Sequence, residues 1–216
     1  MSGYVPLQRD PYSAHQMVID RCRGARRVLD VGCSDGAIAA EISRRYGAVV
    51  DGVEADPVAA EEARIRCGRL LEGPIEAVDL RALGPEPYDV IVLADVLEHL
   101  TAPLDTVQKL VPLLGRAGRM VISTPNVANW SVRLMLLAGR WEYTDRGILD
   151  RTHVHLFTRR SLLRLLGEAG LAIEEVDVTC PLPVLRREPF TRVAHLLASK
   201  APRLLAYQFV VTAAPG

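Results

Sequence analysis

The chain has 216 residues, 49% of them hydrophobic and 24% charged, which suits one α/β core and excludes a disordered or fibrous class. A formal net charge of +0 removes any bulk electrostatic drive toward nucleic acid or an anionic membrane. Four scattered cysteines without zinc-type spacing, no apolar run near ~18 residues and no secretory pattern predict a cytoplasmic protein without a membrane span.

In chain order, residues 1–25 form an N-terminal segment with a short helix around His15 to Arg23. An apolar strand, Arg26 to Val31, runs into the turn Gly32-Cys33-Ser34-Asp35-Gly36, and a helix from Ala37 to Tyr46 follows directly. The glycines let a ligand approach bare backbone or supply positive φ, while Asp30 and Asp35 place carboxylates beside them. Acids inside the turn disfavour a pyrophosphate guest, whose site uses G-x-G-x-x-G, and favour a cationic or polyhydroxylated one. The next strand, Ala48 to Glu54, ends in an acid at the carboxyl edge of the sheet, where open α/β folds bind ligands. Pro57 opens a helix reaching Cys67, and Leu70 and Leu71 mark a short third strand.

Tyr88 to Ala94 is a continuous apolar run of the kind a parallel sheet buries on both faces. A one-sided helix spans Pro103 to Leu114, and strand five is Arg119 to Ser123. An extended insertion, residues 127–158, follows; its first half is predicted helical because Trp130, Leu134 and Leu137 share a face. Its second half mixes aromatics with Asp145, Arg146, Asp150, Arg151, His153 and His155, the composition of a small-molecule pocket or, alternatively, of a lid or homodimer contact. Thr158 caps a helix that Gly170 stops; then come strand six, Leu171 to Val178, a proline-rich loop from Pro181 to Arg187, a helix from Phe190 to Ala198 and a last strand from Leu204 to Thr212. The whole reads as one domain.

The ordered blocks Val28-Leu-Asp-Val-Gly-Cys-Ser-Asp-Gly36, Val53-Glu-Ala-Asp56 and Tyr88 to Leu100 resemble the class I S-adenosylmethionine-dependent methyltransferases, especially their ubiquinone-methyltransferase-like branch. Ser123 to Arg140 looks like the methionine-biosynthesis protein W family, and Leu149-Asp-Arg-Thr-His153 looks like bacterial methyltransferases of glycan and natural-product pathways. The resemblance implies a Rossmann-like, doubly wound, mostly parallel seven-stranded sheet with an antiparallel last strand. It implies S-adenosyl-L-methionine as cofactor, held by Asp30, Gly32, Cys33, Ser34, Asp35, Gly36, Glu54, Ala55, Ala94 and Asp95. Glu54 would accept both ribose hydroxyls. Where the family carries a Gly-Asp pair that reads adenine, this chain has Gly73-Pro74, so the Ile75 amide and Glu76 would take over. The first 25 residues would cap the pocket.

For an oxygen acceptor, a base poised near neutrality has to take the hydroxyl proton, and His153 is the first choice, with Asp150 as its orienter or substitute and His155 alternating beside it. Either histidine could instead fasten the loop. Two histidines make a poor metal site and no third ligand stands at a matching spacing, so no metal is expected. The expected reaction is O-methylation of a sugar, glycan intermediate or other pathway small molecule. N-methylation of an amine and a nonenzymatic partner protein are the rivals; a nicotinamide oxidoreductase would need the missing G-x-G-x-x-G.

Overall fold

A computed structural model describes residues 7–180 and 190–216; the predicted loop from Pro181 to Arg187 lies outside them. Strands β1 (Arg27–Val31), β2 (Val49–Glu54), β3 (Leu70–Glu72), β4 (Tyr88–Ala94) and β5 (Leu114–Pro125) run parallel. β7 (Gln208–Pro215) lies antiparallel between β5 and β6 (Leu171–Thr179), giving the order β3-β2-β1-β4-β5-β7-β6. The Rossmann-like doubly wound sheet and its antiparallel final strand are therefore as the sequence predicts.

Because successive side chains on a strand face opposite ways, the central strands feed two cores. Leu29, Ile91, Leu93, Met120 and Ile122 pack with Val107 and Leu110 of α4 (Pro103–Leu110) and with Leu162 and Leu166 of α6 (Arg159–Glu168). The alternate residues Val28, Val90, Val92 and Val121 meet Val18 and Ile19 of α1 (Ala14–Arg21) and Ile42 of α2 (Ala37–Tyr46). Each fully buried aliphatic side chain contributes roughly 1.5–3 kcal/mol, so the sheet is the rigid base from which the strand ends project.

Several boundaries differ from expectation for local reasons. Helix α3 (Pro57–Ala63) stops before Cys67 because the chain must turn to let Gly68 bond the Val50 carbonyl and begin the pairing that continues into β3. Helix α4 ends at Leu110 and tightens into a 3-10 turn over Val111–Leu113, since Pro112 has no N–H to continue the ladder. β5 begins at Leu114, and its register shifts where Gly118 approaches; a Cβ there would lie 2.8 Å from the Tyr88 carbonyl. Pro202 opens an unpredicted short helix, α8 (Pro202–Leu205), after α7 (Phe190–Lys200), which delays β7 to Gln208.

Helix α5 (Trp130–Leu137) forms, but its predicted apolar stripe faces outward: Trp130, Leu134 and Leu137 are 50%, 56% and 83% exposed. Val132, with Met135 beside it, makes the inward contact with Ile148 and Leu149. Periodicity identified the helix without indicating which side a neighbour would cover. No helix among the described residues is long and apolar enough to cross a membrane.

Candidate active site

The carboxyl ends of β1, β2 and β4 open into one cleft of 1180 Å³, closed on its other sides by α1, the segment from Asp145 to His153 and the start of β7. Gly32 and Gly36 adopt φ of +69° and +78°, as the turn between β1 and α2 requires. A Cβ on Gly32 would come within 2.7 Å of Val96 Cγ2, so this backbone passes too close to the β4 loop for any side chain. Among the described residues the non-glycine positions at positive φ are Ser34 and Asp95, and both line the cleft. Backbone strain of this kind costs on the order of 1–3 kcal/mol and concentrates at binding sites.

Glu54, at the end of β2, accepts the Ser34 amide at 2.7 Å and the Asp56 amide at 2.8 Å, one on each carboxylate oxygen. It thereby ties the glycine turn to β2 while lining the cleft with spare lone pairs. Asp35 is tied down by Arg66 at 2.5 Å and caps the Ala37 amide. Asp95 accepts Ser123 Oγ at 2.8 Å and Gln208 Nε2 at 2.8 and 2.9 Å, so β5 and β7 both aim it.

Not every expected cofactor residue reaches the cleft. Gly32, Cys33, Ser34, Asp35, Glu54, Ala94 and Asp95 line it; Asp30, Gly36, Ala55, Ile75 and Glu76 do not. Asp30 is 1% exposed and lies inside the sheet, where burial and then the Glu54 charge push its carboxyl up to about 7. Ile75 is buried, and its carbonyl accepts Lys109 Nζ at 3.0 Å. Glu76 is taken by Thr101, whose amide and hydroxyl donate at 3.0 and 2.9 Å; partial burial opposes ionisation, yet these bonds hold the carboxylate below its usual range.

Along the segment from Asp145 to Phe157 the histidines separate. His153 lines the cleft and its Nδ1 meets the Ile148 carbonyl at 3.1 Å, so Nδ1 carries the proton and Nε2 is left as an acceptor. Burial lowers its pKa, so the ring is neutral near pH 7. Asp150 also lines the cleft, but its carboxylate accepts Thr152 at 2.7 and 2.8 Å; the Ile148 carbonyl is what orients His153. His155 points elsewhere, with Nε2 3.3 Å from the Thr101 carbonyl and its ring stacked on Phe157. The two alternate on a turn rather than an extended strand, which undoes the expectation of a shared face. Trp141 and Tyr143 pair edge to face outside the cleft, and Tyr207 of the β7 approach supplies the aromatic wall instead.

Three groups carry more of the site than spacing suggested. Glu98 is 1% exposed, accepts Thr124 Oγ1 at 3.0 Å through Oε2, and keeps Oε1 without a partner. Burial, then the charge of Asp95, raises its pKa well above the carboxylate range. His99 holds its Nδ1 3.2 Å from the Thr152 carbonyl and packs edge-on to His153 with centroids 4.9 Å apart. Ligating atoms of Glu98, His99 and His153 all lie within 4.8 Å of one another. The fold thus sets two metal-capable groups, Glu98 and His99, beside His153, in place of the His155 that linear spacing paired with it. His15 of α1 lines the opposite part of the cleft, its Nδ1 accepting the Gln8 amide at 3.2 Å.

A doubly wound sheet whose strand ends place a glycine turn and two acids in one cleft offers a place for a ligand at the carboxyl edge, and the bare backbone at Gly32 with the spare lone pairs of Glu54 suits an adenosyl group. Residues 8–176 match the methyltransferase domain family. The ubiquinone biosynthesis O-methyltransferase of Xylella fastidiosa (strain M23) is 33% identical over 178 residues, covering 80% of this chain and 69% of that protein. That of Thiobacillus denitrificans is 31% identical over 184 residues, covering 81% and 78%. Among solved structures, a TehB-like methyltransferase from Corynebacterium glutamicum superposes with a TM-score of 0.59 at 19% identity, over 94% of this chain and 88% of that one. A methyltransferase from Thermotoga maritima gives 0.65 at 16% identity, over 96% and 91%, so these two share the fold. The chain belongs to the class I S-adenosylmethionine-dependent methyltransferases, in their ubiquinone-methyltransferase-like branch. It is an enzyme that uses S-adenosylmethionine, and the relatives lend no support to a sugar or glycan acceptor.

Proposed function

We propose that the enzyme methylates a hydroxyl oxygen of a small-molecule acceptor bound between the glycine turn and the segment from Asp145 to His153. The observation that carries this reading is His153, neutral, on the cleft wall and pinned through Nδ1 so that Nε2 is free to take a proton. S-adenosylmethionine supplies a methyl group on a positively charged sulfur. Gly32, Ser34 and Glu54 would hold its adenosyl part, and Asp95, fixed by Ser123 and Gln208, would face its cationic end. As the acceptor oxygen gains the methyl and the sulfur keeps the electron pair of the broken C–S bond, His153 removes the hydroxyl proton. The cleft's other work is alignment, which can be worth ~7–11 kcal/mol when the reacting atoms are held in line. Similarity to ubiquinone biosynthesis O-methyltransferases supports oxygen over nitrogen.

The Glu98, His99 and His153 cluster favours a second reading, in which a divalent cation holds the acceptor oxygen and lowers its pKa, relieving His153 of proton transfer. Purified enzyme, cofactor and matched panels of phenols, aliphatic alcohols and amines decide both points. Methylation of hydroxyl compounds that survives exhaustive chelation and falls in His153→Gln supports the first reading. Loss on chelation with recovery on adding metal supports the second, and turnover of amines alone defeats both.

A further inference from the structure

A second cavity of 570 Å³ opens beside the cleft without sharing a lining residue with it: Pro125 lines the cleft, and Ala128, three residues on, lines this cavity. Arg133 of α5, Arg159 and Arg160 of α6 and Arg203 of α8 line it together with Ala128, Thr158 and Leu163. Among the described residues none of these four arginines is paired with a carboxylate, whereas Arg140, Arg151 and Arg164 nearby pair with Glu142, Asp145 and Glu168. Like charges from three helices line one cavity in a chain of net charge +0, and among the described residues no carboxylate forms an ion pair with them.

The local sequence is also unfavourable for its own helix. Arg159 and Arg160 occupy the first turn of α6, which contains no acid, and cations there oppose the helix dipole. The capping box joins Thr158 and Ser161, using their amides and leaving those of Arg159 and Arg160 outside it. Arg133 is set in place by its Nε on the Ala128 carbonyl at 2.6 Å and its Nη2 on the Arg203 carbonyl at 3.3 Å, so one guanidinium is oriented in advance. A locally costly arrangement that holds together marks a functional position.

We propose that this cavity binds a phosphoryl-bearing ligand, with a diphosphate the best match. Guanidinium groups pair bidentately with phosphate oxygens, four of them balance the charge of a diphosphate, and two helix-terminal amides add donors. The cavity shares no lining residue with the cleft proposed for methyl transfer, so the two can be perturbed separately. The ligand could be a soluble phosphate ester or a lipid headgroup, because α5 leaves Trp130, Leu134 and Leu137 exposed next to Arg133.

Calorimetric titration of the full chain with inorganic pyrophosphate at low ionic strength tests this. Binding is expected, weakening with salt and by about 10-fold or more in Arg160→Gln and in Arg203→Gln, while S-adenosylhomocysteine affinity is unchanged. Arg160→Glu should abolish pyrophosphate binding and raise the melting temperature by about 1–3 °C without ligand, because it relieves the clash with the helix dipole. Co-sedimentation with phosphatidylglycerol but not phosphatidylcholine vesicles, displaced by pyrophosphate, would assign the headgroup; pyrophosphate binding without sedimentation would assign the soluble ester. No heat with pyrophosphate, or equal affinity in wild type and both glutamine variants, overturns the proposal.

Discussion

Asp30→Asn should change the stability of this enzyme in a way that depends on pH, because Asp30 is fully buried beneath the cofactor turn and its Oδ2 has no partner. Its carboxyl is raised from 3.8 to about 7 by burial first and by the Glu54 charge second. A raised folded-state pKa means the native protein holds a proton that the unfolded chain releases, so stability is present at low pH and lost as pH rises from about 4 to about 7. Between pH 5 and pH 8 this one group removes about 2.5 kcal/mol, from about 1.36 kcal/mol per pKa unit integrated over that window. Asparagine cannot ionise, so the variant lacks that loss. Urea unfolding of both proteins at pH 5 and pH 8 gives a difference of differences in which the titrating groups that do not interact with Asp30 cancel. The wild type should lose about 2.5 kcal/mol more than Asp30→Asn between the two conditions. A change below about 0.5 kcal/mol would refute the assignment of a protonated carboxyl at this position.

Replacing Glu54 with alanine deprives the Ser34 and Asp56 amides of their acceptor as well as removing the strand-end acid. S-adenosylhomocysteine affinity should drop about 10- to 100-fold by calorimetry, since hydrogen bonds to a charged group are worth about 1.5–3 kcal/mol. Gly32→Ala adds a Cβ 2.7 Å from Val96 at φ +69°, whereas Gly47→Ala has the same φ and nothing within 4 Å. Calorimetric melting should show Gly32→Ala the less stable of the two by about 1–3 kcal/mol, or several degrees, and equal losses would show that Val96 yields freely. In His153→Gln, kcat should fall by about 10²- to 10⁴-fold with substrate KM little changed. For the wild type the acid limb of the rate profile should lie below pH 6.5, because burial depresses the pKa of His153 and only the neutral ring accepts a proton. A limb centred above pH 6.5 would assign the base elsewhere.

Much of the fold was legible because each signal was local. The apolar runs that became β1 and β4, the amphipathic spacing of α2 and α6, and the Gly32 to Gly36 turn between strand and helix are properties of consecutive residues. The acid ending β2 was legible for the same reason, since a strand's direction and the sheet's carboxyl edge follow from the order of elements. Local signals failed where the partner was distant. Trp130, Leu134 and Leu137 had the right period for a helix, but period carries no information about which face a neighbour will cover, and Val132 won that contact through Ile148 and Leu149. His153 and His155 alternate in the chain, yet Ile148 and Thr101 pull their rings apart.

By itself, the order of residues determined the fold class and the glycine turn between β1 and α2, since these depend on backbone conformation and hydrophobic periodicity over short spans. Tertiary structure alone decided that Asp30 is buried, that Gln208 from the far strand aims Asp95, and that Glu98 and His99 stand against His153 across 54 residues of chain. Burial and charge proximity set protonation and coordination, and both are distances in space that no spacing along the chain contains.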